Sequence, residues 1–141
     1  MAINDSTIYN DVWVEVKNKL VTTGLYITNS ETSATTAVSI EAAYGDEIVT
    51  RNSVRIYPAR LDEEFDKFSS NQGKKDINII IDCVGKVGKY ADELKGQVRN
   101  ILIANDITGI DLVGLTDNGF FTPVSREKFY GQSLTFTYMR E

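Results

Sequence analysis

Apolar residues recur along this chain with two different periods, and the switches between them outline the elements. Ile8, Val12, Val16 and Leu20 fall every fourth position, with Tyr9 and Trp13 on the adjoining stripe, behind the capping residues Asp5 and Ser6. The spacing predicts an amphipathic helix over about residues 7–20, ended near Gly24. A second stripe, Val87, Tyr90, Ala91, Leu94, Val98, Ile101 and Leu102, predicts a helix over about 87–104, with Lys89, Glu93, Lys95 and Arg99 on its solvated side.

Between the helices the period shortens. Residues 21–50 hold seven Thr, three Ser and four acids without a Lys or Arg, which reads as extended structure. Alternation over 37–42 predicts a strand there, with turns at Asn29-Ser30-Glu31 and at residues 44–47. Residues 54–57 form a short strand stopped by Pro58. Residues 61–73 read as a polar loop or short helix carrying Asp62, Glu63, Glu64 and Asp66, interleaved with Phe65 and Phe68. The β-branched run of residues 76–84 predicts a central strand buried on both faces. Residues 110–115 predict another strand and residues 116–119 a turn, since Asn118-Gly119 favours hairpins. The last strand, about 129–139, sets Tyr130, Leu134, Phe136 and Tyr138 on one face and Ser133, Thr135 and Thr137 on the other. The expectation is one α+β domain, residues 1–141: a mostly antiparallel twisted sheet with two main helices packed on one face, and a polar Thr/Ser-rich region at about 21–53.

Composition narrows the chemistry. The 141 residues are 42% hydrophobic, enough for a core without staples, and include no histidine and one cysteine, Cys83. Serine triads, Cys-His dyads, His-ligated zinc and disulfide scaffolds are therefore out of reach of this chain. Cys83 reads as an inert core thiol. Gly85-Lys86-Val87-Gly88-Lys89 sits where a phosphate loop would, but Cys83 stands where its first glycine is needed and Tyr90 where its Ser or Thr belongs. The carboxylates of residues 62–66 lack the glycine and ligand spacing of a calcium loop. No cofactor and no metal site is expected, nor enzyme activity. Asp82 and the cluster 62–66 are the only carboxylate candidates for a small enzyme or ligand-binding domain.

Fifteen basic residues against 20 acidic ones give a net charge of −5, which argues against free nucleic acid as the main partner. No apolar run reaches the length of a membrane span, and residues 1–6 lack signal-peptide features. The expected product is soluble and cytosolic, and Asn4-Asp5-Ser6 is a chance sequon.

The succession of elements resembles a known family. An N-terminal helix leads to Val54-Arg55-Ile56-Tyr57-Pro58, then a long polar loop and the strand Ile77-Asn78-Ile79-Ile80-Ile81-Asp82-Cys83. The helix around Tyr90-Ala91-Asp92-Glu93-Leu94 follows, and the chain closes on Tyr130-Gly131-Gln132-Ser133-Leu134-Thr135-Phe136-Thr137-Tyr138. This resembles the tail terminator, or tail-to-head joining, proteins of long-tailed bacteriophages, over most of the chain from about residue 54 and in the first helix. Residues 21–50 are longer and more Thr-rich than that family suggests. The resemblance implies a non-enzymatic virion protein of the head-tail junction, assembled in the host cytoplasm. It would form a ring, as a hexamer, cap the tail tube, stop its polymerisation and join tail to head. Its implied partners are itself, the tail tube protein and a head-completion or neck protein, with DNA only as cargo through the lumen. Another neck protein of head-closure or tail-completion type is the alternative. Aromatic and arginine side chains favoured at interfaces mark Tyr57, Arg60, Phe65, Phe68 and Tyr130, with Gln132, as a partly exposed candidate interface.

Overall fold

The first apolar stripe becomes α1, Ile8–Thr23, whose Ile8, Val12, Val16 and Leu20 are all buried. In the computed structural model, which describes residues 7–44, 47–58, 60–64 and 74–140, α1 ends where predicted. Gly24 adopts φ +83°, and its N–H reaches back to the Leu20 carbonyl at 2.8 Å. Trp13 ties the helix to the sheet by donating its indole N–H to the Ile56 carbonyl at 3.2 Å.

The Thr-rich region forms a two-stranded antiparallel hairpin, β1 (Tyr26–Thr28) and β2 (Thr35–Ala37), followed by β3 (Ser39–Ala42). The Asn29 side-chain oxygen accepts the N–H groups of Glu31 and Thr32, which closes the hairpin turn. This hairpin leans on α2 (Gly88–Ala104), where Gln97 exchanges two hydrogen bonds with the Tyr26 backbone and Glu93 accepts the Thr28 N–H at 2.6 Å.

The main sheet is built around β6, Lys74–Gly85. One edge of β6 receives two strands in succession: β4 (Ser53–Ile56) against residues 81–84 and β5 (Arg60–Glu64) against residues 74–78. Tyr57 continues the pairing with an N–H to the Ile80 carbonyl at 3.0 Å, and Pro58, with no N–H to give, interrupts it. The other edge of β6 pairs with β8 (Tyr130–Arg140), and β7 (Ile110–Phe121) lies outside β8. The order is β3-β4-β6-β8-β7, antiparallel except for the parallel β3–β4 pair. The architecture is α+β.

Alternation decides what each face buries. Ile77, Ile79, Ile81 and Cys83 of β6, Leu134, Phe136 and Tyr138 of β8, and Val54 and Ile56 of β4 share one buried cluster with the apolar stripes of α1 and α2. Both helices thus cover one face. The opposite face carries Arg55, Tyr57, Asn78, Asp82, Ser133, Thr135 and Thr137. One end of it is covered by the segments around Val49 and Phe129, which make a smaller core with Val84 and Phe121.

Three expectations change. Residues 60–64 are a strand, because β6 extends back to Lys74 and offers them a free edge, with Arg60 in register with Asn78 and Glu64 with Lys74. Residues 116–119 are not a turn but lie inside β7, where the register skips between Asp117 and Gly119. Gly119 uses its φ of +79° for this bulge, and Asn118 donates to the Ser133 and Thr135 hydroxyls at 3.3 and 2.8 Å. Finally, β6 is buried on both faces only over 81–85, since Asn78 and Ile80 are half-buried on the face without helices. The predicted turn at 44–47 includes residues outside those described.

Candidate functional site

Two features stand out on the face and rim that the helices leave uncovered. The first is a polar network. Register places Arg55 of β4 directly opposite Asp82 of β6, and the two are 7% and 8% exposed. The Tyr57 and Ser133 hydroxyls donate to the Asp82 carboxylate. Burial raises the Asp82 carboxyl above its ordinary value, outweighing those bonds and the Arg55 charge. Burial, then the adjacent Asp82, pushes the Tyr57 hydroxyl up to about 12. Arg55 also reaches Glu47, donating to its carbonyl at 3.3 Å and lying 3.6 Å from its carboxylate.

Glu47, Arg55, Tyr57 and Asp82, with Val84 and residues 121–124, line a cavity of about 190 Å³. Its cation already faces two carboxylates, so the site offers no spare positive charge to an anionic substrate. Nor do the candidate carboxylates converge. Asp62 lies opposite Asp76, six positions along β6 from Asp82 and so roughly 20 Å away, whereas paired catalytic carboxylates work at roughly 5–9.5 Å. Asp66 lies outside the described residues. Among the described residues no group of three Cys, Asp or Glu gathers at metal-binding distance.

The second feature is an apolar end built around the 122–129 connection between β7 and β8. Phe120 and Phe121 close β7, and strand alternation turns one ring each way. The Phe121 ring lies over Gly131, where any Cβ would clash with it, while Phe120 is left 79% exposed. Tyr130 lines a cavity with it, and Val124 and Ile48 are exposed on the connection and on the segment tied to it. The connection is tied down. Val49 donates its N–H to the Val124 carbonyl at 2.8 Å, and the buried Phe129 packs with Val49 and Val84. Lys128 lies 5.2 Å from the Tyr130 ring centroid, and Lys86 pairs with Glu127 at 3.7 Å. With Arg126 also exposed, three bases flank this end against one acid of the connection. Cavities of about 350 and 400 Å³ open on either side of Phe129.

The six residues singled out from sequence scatter across this geometry. Tyr130 lies in the apolar end. Tyr57 is half-buried in the Asp82 network. Arg60 opens β5 opposite Asn78, well along the sheet from Tyr130. Phe65 and Phe68 lie outside the described residues. Gln132 requires a correction, because it is 1% exposed rather than partly exposed. It shares the inward face of β8 with Leu134 and Phe136. There it donates to Asp92 of α2 at 2.5 Å and accepts from Lys95 at 2.9 Å, and Lys95 also pairs with Asp117 at 3.0 Å. The same period-two pattern that assigned Leu134 inward carried this signal. Phe120, Val124 and Ile48 were missed. A Phe-Phe pair in a strand must send one ring to each face, but reading residues 116–119 as a turn hid that Phe120 and Phe121 belong to β7.

No protein-family model matches the chain, and no curated protein matches it. Among solved structures, a chain of "Virion of native gene transfer agent (GTA) particle" is 17% identical, with a TM-score of 0.49 over 73% of this chain and 78% of its own.

Proposed function

We propose that the chain is a non-enzymatic virion subunit that assembles into a closed ring at the head-tail junction. There it caps the head-proximal end of the tail tube, stops tube growth and joins tail to head. The observation that carries this reading is the apolar end around Phe120. Tyr130 is half-exposed and Phe120 stands almost wholly in water, which costs solubility unless a partner covers them, and such patches mark protein contacts. The patch is presented on a connection held by the Val49–Val124 hydrogen bond and the Phe129 core, so little ordering entropy opposes docking. The two helices, the long strand between them and the closing pair of strands keep the succession that resembles a tail terminator. A net charge of −5 suits a ring whose lumen passes DNA without holding it. The buried network sets Arg55 against the Glu47 carboxylate and near Asp82, so its charge is met within the chain.

Purified protein is added to polymerising tail tube protein, and tube lengths are scored by negative-stain imaging. Tubes stop growing and carry a six-fold ring at one end. Tubes that elongate unchanged refute the terminator role. Omitting the protein during assembly in cells yields overlong tubes if it is the terminator, whereas finished tails left beside heads assign it to another neck position.

A further inference from the structure

Asn118-Gly119 is the one Asn-Gly pair of the chain, the dipeptide most prone to a modification that needs no enzyme. In that reaction the Gly119 backbone nitrogen attacks the Asn118 side-chain carbonyl carbon and gives its proton to solvent. The bond from that carbon to Nδ2 breaks, and the nitrogen takes a proton and leaves as ammonia. Water then opens the five-membered imide at either carbonyl. The product at position 118 is an aspartyl residue, or an isoaspartyl one whose main chain runs through the former side chain. Glycine favours the first step because no Cβ screens its nitrogen, and the nucleophile is tethered to the carbon it attacks.

The bulge in β7 opposes that step at both of its reacting groups. Asn118 is exposed, so water is at hand, but its Nδ2 donates to the Thr135 and Ser133 hydroxyls at 2.8 and 3.3 Å. Those bonds direct the carboxamide across to β8 and away from its own backbone. The Gly119 N–H is given to the Asp117 carboxylate at 2.9 Å, so the proton that has to leave is already held. Lys95 bonds the other oxygen of that carboxylate at 3.0 Å and keeps it below its ordinary pKa. A fixed negative charge thus stands beside a nitrogen that has to give up a proton, which disfavours the attack.

We propose that Asn118 is a latent self-modification site, kept closed by Thr135, Ser133 and Asp117 while β7 lies on β8, and opened when that end of the ladder comes apart. The damage falls on the apolar end. An isoaspartyl link adds a backbone carbon between positions 118 and 119, directly before the last three paired positions of β7, Gly119, Phe120 and Phe121. These residues lose register with Ser133, Gln132 and Gly131, and the Phe121 ring leaves its place over Gly131. The hydroxyls of β8 therefore preserve the end that projects Phe120. This chemistry belongs to the chain itself and holds whether or not the chain forms a ring.

Full-length protein is aged in mildly alkaline buffer, folded or in denaturing urea, and conversion at position 118 is followed by peptide mass spectrometry and by ion exchange, since each event adds one negative charge. The folded chain converts at least tenfold more slowly than the same chain in urea. Thr135→Val keeps the β-branched shape without the hydroxyl and converts about fivefold faster than the unaltered fold, as the loss of one hydrogen bond requires. Thr135→Ser keeps the hydroxyl and stays slow. Asp117→Ala, at an exposed position, frees the Gly119 N–H and also speeds conversion, so the test survives a Thr135→Val protein that circular dichroism shows to be unfolded. The isoaspartyl fraction unfolds at lower urea than the parent. A folded chain that converts as fast as the chain in urea overturns the proposal. Folded variants at both positions that convert as slowly as the parent overturn it too, because the stiffness of the ladder then protects the site without these side chains. An isoaspartyl fraction as stable as the parent overturns the loss of register at residues 119–121.

Discussion

Replacing Gly85 with alanine probes whether packing or ligand binding demands the glycines between β6 and α2. A Cβ at position 85 would stand 2.6 Å from the Tyr90 Cβ and 3.1 Å from both the Ala91 nitrogen and the Val87 oxygen. These atoms belong to the first turn of α2 or lie next to its backbone, so no side-chain tip can swing aside. The helix must retreat, and it carries Ala91, Leu94 and Val98 out of register with the sheet beneath. Forcing an extra methyl into such a contact costs about 1–3 kcal/mol. For a chain of this length each kcal/mol moves the melting midpoint by roughly 3 °C, which predicts a drop of about 3–10 °C. Gly96, in the middle of α2, has nothing within 4 Å of its would-be Cβ. Alanine there gains about 0.5–1 kcal/mol of helix preference and raises the midpoint by roughly 2–3 °C. Gly88 meets only Tyr130 ring atoms at 3.9 Å, and its alanine variant is near neutral. Thermal and urea unfolding, followed by circular dichroism and by the fluorescence of Trp13, the single tryptophan, reads all three variants. A Gly85→Ala protein as stable as the parent, or a Gly96→Ala protein equally damaged, refutes the packing account.

Arg55→Leu removes the charge beside the buried Asp82 and the contacts to Glu47, so it lowers stability in urea unfolding by about 1–3 kcal/mol, and an unchanged midpoint contradicts the network. Burial raises the Asp82 pKa in the fold above its ordinary 3.8, so the stability this group contributes is full below pH 3.8 and lost as pH rises through the folded value. Asp82→Asn removes that slope, and its stability relative to the parent climbs across this window and then levels off; a flat difference from pH 3.5 to 7 refutes the assignment. Cys83 is 0% exposed, and burial raises its thiol well above the ordinary range. Thiol labelling of the native protein therefore proceeds only through global opening and slows in step with added stability, whereas rapid labelling at neutral pH shows that the core under α2 is open.

The helices and the inward face of β8 were legible from local pattern, because a stripe every third or fourth residue or an alternation of two specifies which side is buried before any partner is known. Gly24 as the stop of α1 and Cys83 as a core thiol follow in the same way. Tertiary structure decided the rest wherever a local preference met a longer ladder. Asn118-Gly119 favours a turn, but β8 offers ten paired positions along β7, so the dipeptide makes a bulge and the connection moves to 122–129. Residues 60–64 resemble a solvated loop until the edge of β6 over 74–78 comes alongside them. Asp82 and Arg55 are 27 residues apart, and Lys95 and Gln132 are 37 apart, so their pairing depends on strand register and helix docking that no window of sequence contains. The exposed Phe120 end is likewise a product of where β7 ends. Periodicity states which face of an element is apolar, whereas a surface is assembled from several elements, and only the fold sets them side by side.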